Sequence, residues 1–398
     1  MEAIVWDWAA LGIRWLHVIA GIAWIGSSFY FIHLDLSLRQ RPDLPAGADG
    51  EAWQVHGGGF YNMVKYLVAP SRMPDKLTWF MWEAYTTWLS GMALMTIVYY
   101  WAASLYLIDG AVLALDPWTA IAISLGGLAA GWIVYDLLCR SPLGRNDTAL
   151  AAVGFALLVG LAFAYTQVFS SRGAFMQMGA LIGTMMVANV FRVIIPNQRK
   201  VVADLVAGRT PDPALGIAAK QRSLHNNYLT LPVIFVMIGN HTPLAFASRW
   251  SWLMLAIVLV VGAVIRHFFN QRHKGAPSPW WTWGIAAAGM LAVVWLSAQP
   301  ATTSVIIEEE SEKDLAAVGD IIESRCSVCH AEEPVWAGVT SAPKGVLLET
   351  PTQIHRQARA IDLQAVITHA MPPGNITGLE VAERQVLATW IAAGAPAW

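Results

Sequence analysis

The chain has 398 residues, 56% of them hydrophobic and only 13% charged, with 20 tryptophans. That balance excludes an ordinary soluble protein and makes a polytopic membrane domain the default. The net charge of −2 points to no class of partner by itself. No basic patch suits a nucleic acid, and three cysteines rule out a disulfide framework.

The N-terminus, Met1-Glu-Ala-Ile-Val-Trp-Asp7, lacks the basic region and small-residue cleavage site of a signal peptide, so the first apolar segment is expected to be retained. Runs of about 20 residues, enough to cross a bilayer, lie near 8–34, 78–100, 118–138, 149–170, 174–196, 222–244, 250–270 and 279–298. They predict an all-α protein with an eight-helix transmembrane bundle over 1–300.

On the first span, Arg14, His17, Gly21, Trp24 and Ser28 share one helical stripe. A histidine one turn from an arginine, with a glycine next, suits a haem: imidazole to iron, guanidinium to a propionate. His241, ending the sixth span, is the candidate opposite ligand of such a haem b. The commoner fate of membrane histidines is a hydrogen bond to a neighbouring helix. The connection 35–77 holds His56-Gly-Gly-Gly-Phe-Tyr61. It lacks the Lys-Ser/Thr of a phosphate loop and reads as a tight turn or close backbone approach.

Ionisable groups within spans cost roughly 2.5–3.5 kcal/mol each and are functional candidates for that reason. An inner layer comprises His33, Asp35, Glu83, Asp136, Asn189, Arg192, Asn197, His225, Asn226, Asn227, Arg266 and His267. Asp35, Asp136 and Asn197 read most simply as reaching interfacial water. The run His225-Asn226-Asn227-Tyr228 offers an imidazole, two amides and a phenol, the donors and acceptors that a heterocycle edge needs. Arg192 and Arg266 supply positive charge for an anion, and Glu83 or His225 is the candidate base. A polar interhelical network without substrate is the competing expectation. Cys139 reads as an inert interfacial thiol.

Alternate loops carry 14 basic residues against Arg172 and Arg249 on the other side. The rich side is therefore expected in the cytoplasm and both termini outside. Residues 301–314 read as a polar linker, and 315–398 as one small helical domain. From Ala301 onward there are 13 acidic and 6 basic residues, which suits a soluble partner with a basic face.

That last domain carries Cys326-Ser-Val-Cys329-His330. Two thiols three residues apart can bond the vinyl groups of one haem c, and the adjacent histidine then ligates its iron. Met371, in Ala-Met-Pro-Pro, is the expected sixth ligand, a thioether that favours reduced iron. A closing helix over 384–393 completes a class I-type cytochrome c domain.

Several stretches resemble the bacterial membrane-bound urate oxidase family: Trp15-Leu-His-Val-Ile-Ala-Gly-Ile-Ala-Trp-Ile-Gly26, His56-Gly-Gly-Gly-Phe-Tyr61, Trp79-Phe-Met-Trp-Glu-Ala-Tyr-Thr-Thr-Trp88, Phe191-Arg-Val-Ile-Ile-Pro-Asn-Gln198 and His225-Asn-Asn-Tyr-Leu-Thr-Leu-Pro-Val233. The first is also similar to smaller haem-binding membrane families. The resemblance implies an inner-membrane protein with a periplasmic cytochrome c domain. It further implies oxidation of urate to 5-hydroxyisourate with water as oxygen source. Electrons would pass through haem c to a soluble cytochrome or terminal oxidase. Two other classes compete: a quinol-to-cytochrome conduit with no organic substrate, and a haem or metal transporter. The latter would call for metal-loading Met or Cys clusters in the spans.

Overall fold

The computed structural model describes residues 2–66, 74–299 and 311–396. Most of the expected linker 301–314 lies outside them. The first helix, α1 (Glu2–Ser37), leads to a hairpin of β1 (Ala48–His56) and β2 (Gly59–Tyr66). Then come α2 (Trp82–Leu94), running on through a π turn to Tyr100, and a short α3 (Ala103–Tyr106). Two long helices follow, α4 (Pro117–Arg140) and α5 (Asp147–Thr166). After them, α6 (Ser171–Ala188) joins α7 (Ile195–Val206) through a π turn over Asn189–Ile194. This first part of the chain ends with α8 (Pro213–Gly239), short α9 (Pro243–Phe246), α10 (Ser251–His273) and α11 (Trp281–Ser297).

Among the described residues, five helices are long and apolar enough to cross a membrane: Ile4–Ser37, Pro117–Arg140, Asp147–Thr166, Ser171–Val206 and Ser251–His273. Helix starts are set by local chemistry. Asp116 and Asp212 accept the first free N–H groups of α4 and α8, each followed by a proline whose missing N–H is not needed there. Ser170 caps α6 and Asn146 caps α5 in the same way. Ser171–Val206 is the central element, with 61% of its apolar window buried against 6% for α1. Small residues admit its neighbours: a Cβ on Gly179 would stand 2.9 Å from Val236 of α8.

Three expectations change. The molecule is mostly helical but not all-α, because residues 48–66 pair as an antiparallel hairpin. The expected tight turn is its tip, where Gly57 and Gly58 take φ of +58° and +79°, a backbone that glycine adopts without a Cβ clash. The sixth helix begins nine residues before the apolar run suggests, at Pro213. Arg222 therefore lies inside α8, 3% exposed, and is not a loop residue. Asp136 is not at interfacial water either: it is 7% exposed and paired with Arg222 at 2.8 Å.

After residue 311 a separate apolar core forms around Val318, Ile322, Leu348, Leu387 and Trp390. It is built by α12 (Ser311–Ile322), short α13 (Pro351–Arg356) and α14 (Ala358–Ile361), and the closing α15 (Val381–Ala392).

Candidate functional site

The inner polar residues separate into two clusters on opposite sides of α8. Successive helical residues are about 100° apart, so His225 and Asn226 turn toward α4 and α6 while Asn227 turns toward α10. On the first side, Tyr135 meets His225 Nδ1 at 2.8 Å and accepts from Asn189 Nδ2 at 3.0 Å. Asn189 also donates to Asn226 Oδ1 at 2.9 Å, and Asn226 donates to the Met186 carbonyl. Arg222 donates to Asn189 Oδ1 at 3.1 Å and to Asp136, while its guanidinium lies 4.9 Å from the centre of the Tyr135 ring. The π turn after Ala188 rotates Asn189 into this network. Asp136, Arg222, Asn189 and Asn226 satisfy one another, and such a set holds three helices in register.

The second side is different. Arg266 is 4% exposed, yet among the described residues no carboxylate pairs with it. Its donors reach only the amide oxygens of Asn227 and Asn270, both at a long 3.4 Å. Its guanidinium lies 3.9 Å from the centre of the Phe29 ring. Asn227 is fully buried, and its oxygen already takes Asn270 Nδ2 at 3.1 Å, while its own Nδ2 has no partner. Tyr228 lies beside Arg266. Burying an unpaired cation costs several kcal/mol, and each unmet buried donor adds about 1–3 kcal/mol. An anion rich in acceptors would relieve both. Arg266, Asn270 and His273 follow at i, i+4 and i+7 on α10, facing Phe29 and His33 at i and i+4 on α1. The His33 and His273 rings meet edge to face, centroids 4.4 Å apart, each with an unpartnered buried Nδ1.

The other sequence candidates lie elsewhere. Glu83 sits in the first turn of α2, where its carbonyl accepts the Thr87 hydroxyl. Arg192 is exposed on the π turn. His267 packs by its ring toward Trp281, 6.2 Å away. His17 Nδ1 meets the Thr87 carbonyl at 2.9 Å and Ser90 Oγ at 3.1 Å. His241 follows Asn240, which accepts from Tyr99 at 2.9 Å. His17 is tied to α2, while His241 stands within electrostatic reach of Arg14, one turn from His17 on α1. Asn270, His273 and Phe29 escaped the sequence reading, although the first two share a helical face with Arg266.

In the C-terminal domain, Cys326 and Cys329 lie on one turn, with Cys329 N and His330 N both donating to the Cys326 carbonyl. His330 Nδ1 bonds the Val346 carbonyl at 3.0 Å, which orients the ring and leaves Nε2 free. Burial pushes the Cys326 thiol up to about 12, and the Cys329 thiol upward as well. Such thiols are poor redox nucleophiles. The spacing, the oriented imidazole and half-exposed Met371 fit a haem c held by Cys326, Cys329, His330 and Met371. Arg384, 3% exposed, fastens the methionine loop: it donates to the carbonyls of Ala365 and Met371 and to Asn375 Oδ1. Arg325 and Glu383, 3.0 Å apart, join the haem-motif turn to α15.

The same loop meets the membrane part. Ala370 packs on its main apolar core, and the turn Pro373–Asn375 lies against α3. A Cβ on Gly374 would collide with the Ile108 carbonyl oxygen.

A mostly helical protein with five helices long and apolar enough to cross a membrane among its described residues, a buried arginine among amides and a helical C-terminal unit is consistent with a membrane protein. Residues 3–297 match the family described as urate oxidase N-terminal, and the chain belongs to that family. No curated protein and no solved structure matches it.

Proposed function

We propose that the protein oxidises urate at the Arg266 cluster and passes the electrons through haem c to a soluble cytochrome or terminal oxidase. The five membrane-length helices, together with α2, α8 and α11, would cross the bacterial inner membrane as eight spans, with the C-terminal domain in the periplasm. Family membership supplies the urate connection. The observation that carries the choice of site is Arg266, a buried cation whose partners are all neutral.

The balance is urate plus water giving 5-hydroxyisourate, two electrons and two protons. Urate is a planar anion at neutral pH. The Arg266 guanidinium and Asn227 Nδ2 would donate to its oxygens, fixing plane and orientation, and bidentate geometry favours arginine over lysine here. The unpartnered Nδ1 of His273, on the same face of α10, would take up a released proton. His225 lies across α8 and Glu83 on another helix, so both are displaced from the role of base that the sequence suggests. Haem c supplies one-electron acceptance and delivery to the next carrier. Packing of the Met371 loop on the outer end of the membrane domain supports a route within the chain.

The test is reduction of haem c in purified full-length protein by urate against a quinol. Reduction by urate supports the assignment. Reduction by quinol alone would make the protein a quinol-to-cytochrome conduit.

A further inference from the structure

A cavity of about 380 Å³ opens where the C-terminal end of α1 meets the hairpin, lined among others by His33, Arg39, Glu51, Trp53 and Gln54. Its size falls within the roughly 300–1,000 Å³ of small-molecule sites. The hairpin is fixed over it by Lys65 on Asp35 at 2.7 Å and by the Tyr30 hydroxyl donating to Gln54 Oε1 at 2.8 Å.

The charges around this cavity do not cancel. The Glu51 carboxylate is spent on Arg41 at 2.9 Å, Trp53 Nε1 at 3.0 Å and Asn62 Nδ2 at 2.7 Å. Arg41 is doubly engaged, by Glu51 and by Asp43. Arg39 has no carboxylate among the described residues, and its guanidinium donates only to the Leu38 carbonyl at 3.1 Å. Gln54 uses its oxygen on Tyr30, so its Nε2 is left buried without an acceptor, as is His33 Nδ1. The Trp53 indole, held by Glu51, is 61% exposed and offers a flat face for stacking. Free donors, one uncompensated cation and an aromatic face describe a receptor for a small planar anion with carbonyl acceptors.

The cavity also has a direction. His33 forms its wall and touches His273, and the α1–α10 seam continues from that pair to Asn270 and Arg266. We infer that the hairpin cavity is a receiving site for a planar oxopurine anion on the cytoplasmic side, from which the ligand moves along the α1–α10 seam to Arg266. The identity of the ligand as urate rests on the function proposed above, whereas the anion site stands on its own donors.

The test uses full-length protein in neutral detergent, with urate and a second oxopurine, xanthine, as probes. Trp53 emission, isolated by subtracting Trp53→Phe, should quench saturably with either. Arg39→Gln and Gln54→Leu should each weaken that binding roughly 10- to 100-fold, as loss of one charge-assisted bond implies. They should raise KM for urate more than they lower kcat. Gln54→Glu keeps the shape and the Tyr30 bond but turns the free donor into an anion, so it should abolish the quench in a folded protein. Unchanged quenching and KM in all three variants would overturn the inference. So would effects seen only in bilayers with anionic lipid, which would make the cavity a headgroup site. If the wild-type protein fails to oxidise urate yet Trp53 responds, the site survives and the proposed reaction does not.

Discussion

Arg266 and Arg222 are both buried arginines, 4% and 3% exposed, and replacing each with methionine should have opposite consequences. Arg222 is bonded to Asp136 at 2.8 Å and to Asn189 at 3.1 Å. Breaking a buried pair typically costs about 3–5 kcal/mol. Arg140, also on Asp136 at 2.7 Å, should hold the loss toward the lower end. Arg266 has two amide contacts at 3.4 Å and the Phe29 face, which repay little of its desolvation. Arg266→Met should therefore leave the thermal midpoint unchanged or raise it, the pattern of a residue kept for function at the expense of stability. Its loss removes a charge-assisted hydrogen bond to the substrate, about 1.5–3 kcal/mol, or roughly 10- to 100-fold in affinity. Half-saturating urate for reduction of haem c reads that change, alongside a melt of each variant. Arg266→Met that melts like wild type and shows wild-type urate dependence would refute the assignment. A midpoint as depressed as that of Arg222→Met would show that Arg266 is structural.

Cys326→Ser with Cys329→Ser should give protein without covalent haem on a denaturing gel. It should still bind urate but not turn it over, as equilibrium dialysis and product assay would show. Gly374→Val places a β-branched residue at a φ of +55°, a strain of about 1–2 kcal/mol, and drives its Cβ into the Ile108 carbonyl. Reduction of haem c by urate should slow in stopped flow, while reduction by dithionite stays normal. Burial opposes ionisation of Glu383, but its bonds to Arg325 win and hold the carboxyl below its ordinary 4.5. A depressed folded-state pKa means stabilisation present above about 4.5 and lost as pH falls through the lower folded value. The difference in melting midpoint between wild type and Glu383→Gln should be full at neutral pH and shrink as pH drops below about 4.5.

Much of the helical frame was legible because apolar runs carry their own signal. The runs 118–138 and 250–270 correspond to Pro117–Arg140 and Ser251–His273. The start of α8 was missed because residues 213–221 carry Pro213 and Gly216 and end in Lys220-Gln221, which together read as loop, although Asp212-Pro213 is a cap-plus-proline start that could have been read. The hairpin was hidden for a related reason. A Gly-Gly turn between alternating aromatic segments is a strand signal, but it sits in a connection between two membrane helices. The individual site residues were legible by cost, since any buried Arg or Asn stands out in an apolar helix. Their partition was not. Which side of α8 each residue faces depends on helix rotation and on the π turn over Asn189–Ile194, and local sequence fixes neither.

The central claim is that urate gives up its electrons inside the chain to haem c, with water and not dioxygen as the other reactant. The most direct measurement is an oxygen-free titration of oxidised, purified full-length protein with urate, following haem c reduction and urate loss together. Two haem c reduced per urate consumed, with 5-hydroxyisourate formed and no hydrogen peroxide, is the result expected. Urate loss that requires dioxygen, or haem c that stays oxidised while urate disappears, would contradict it.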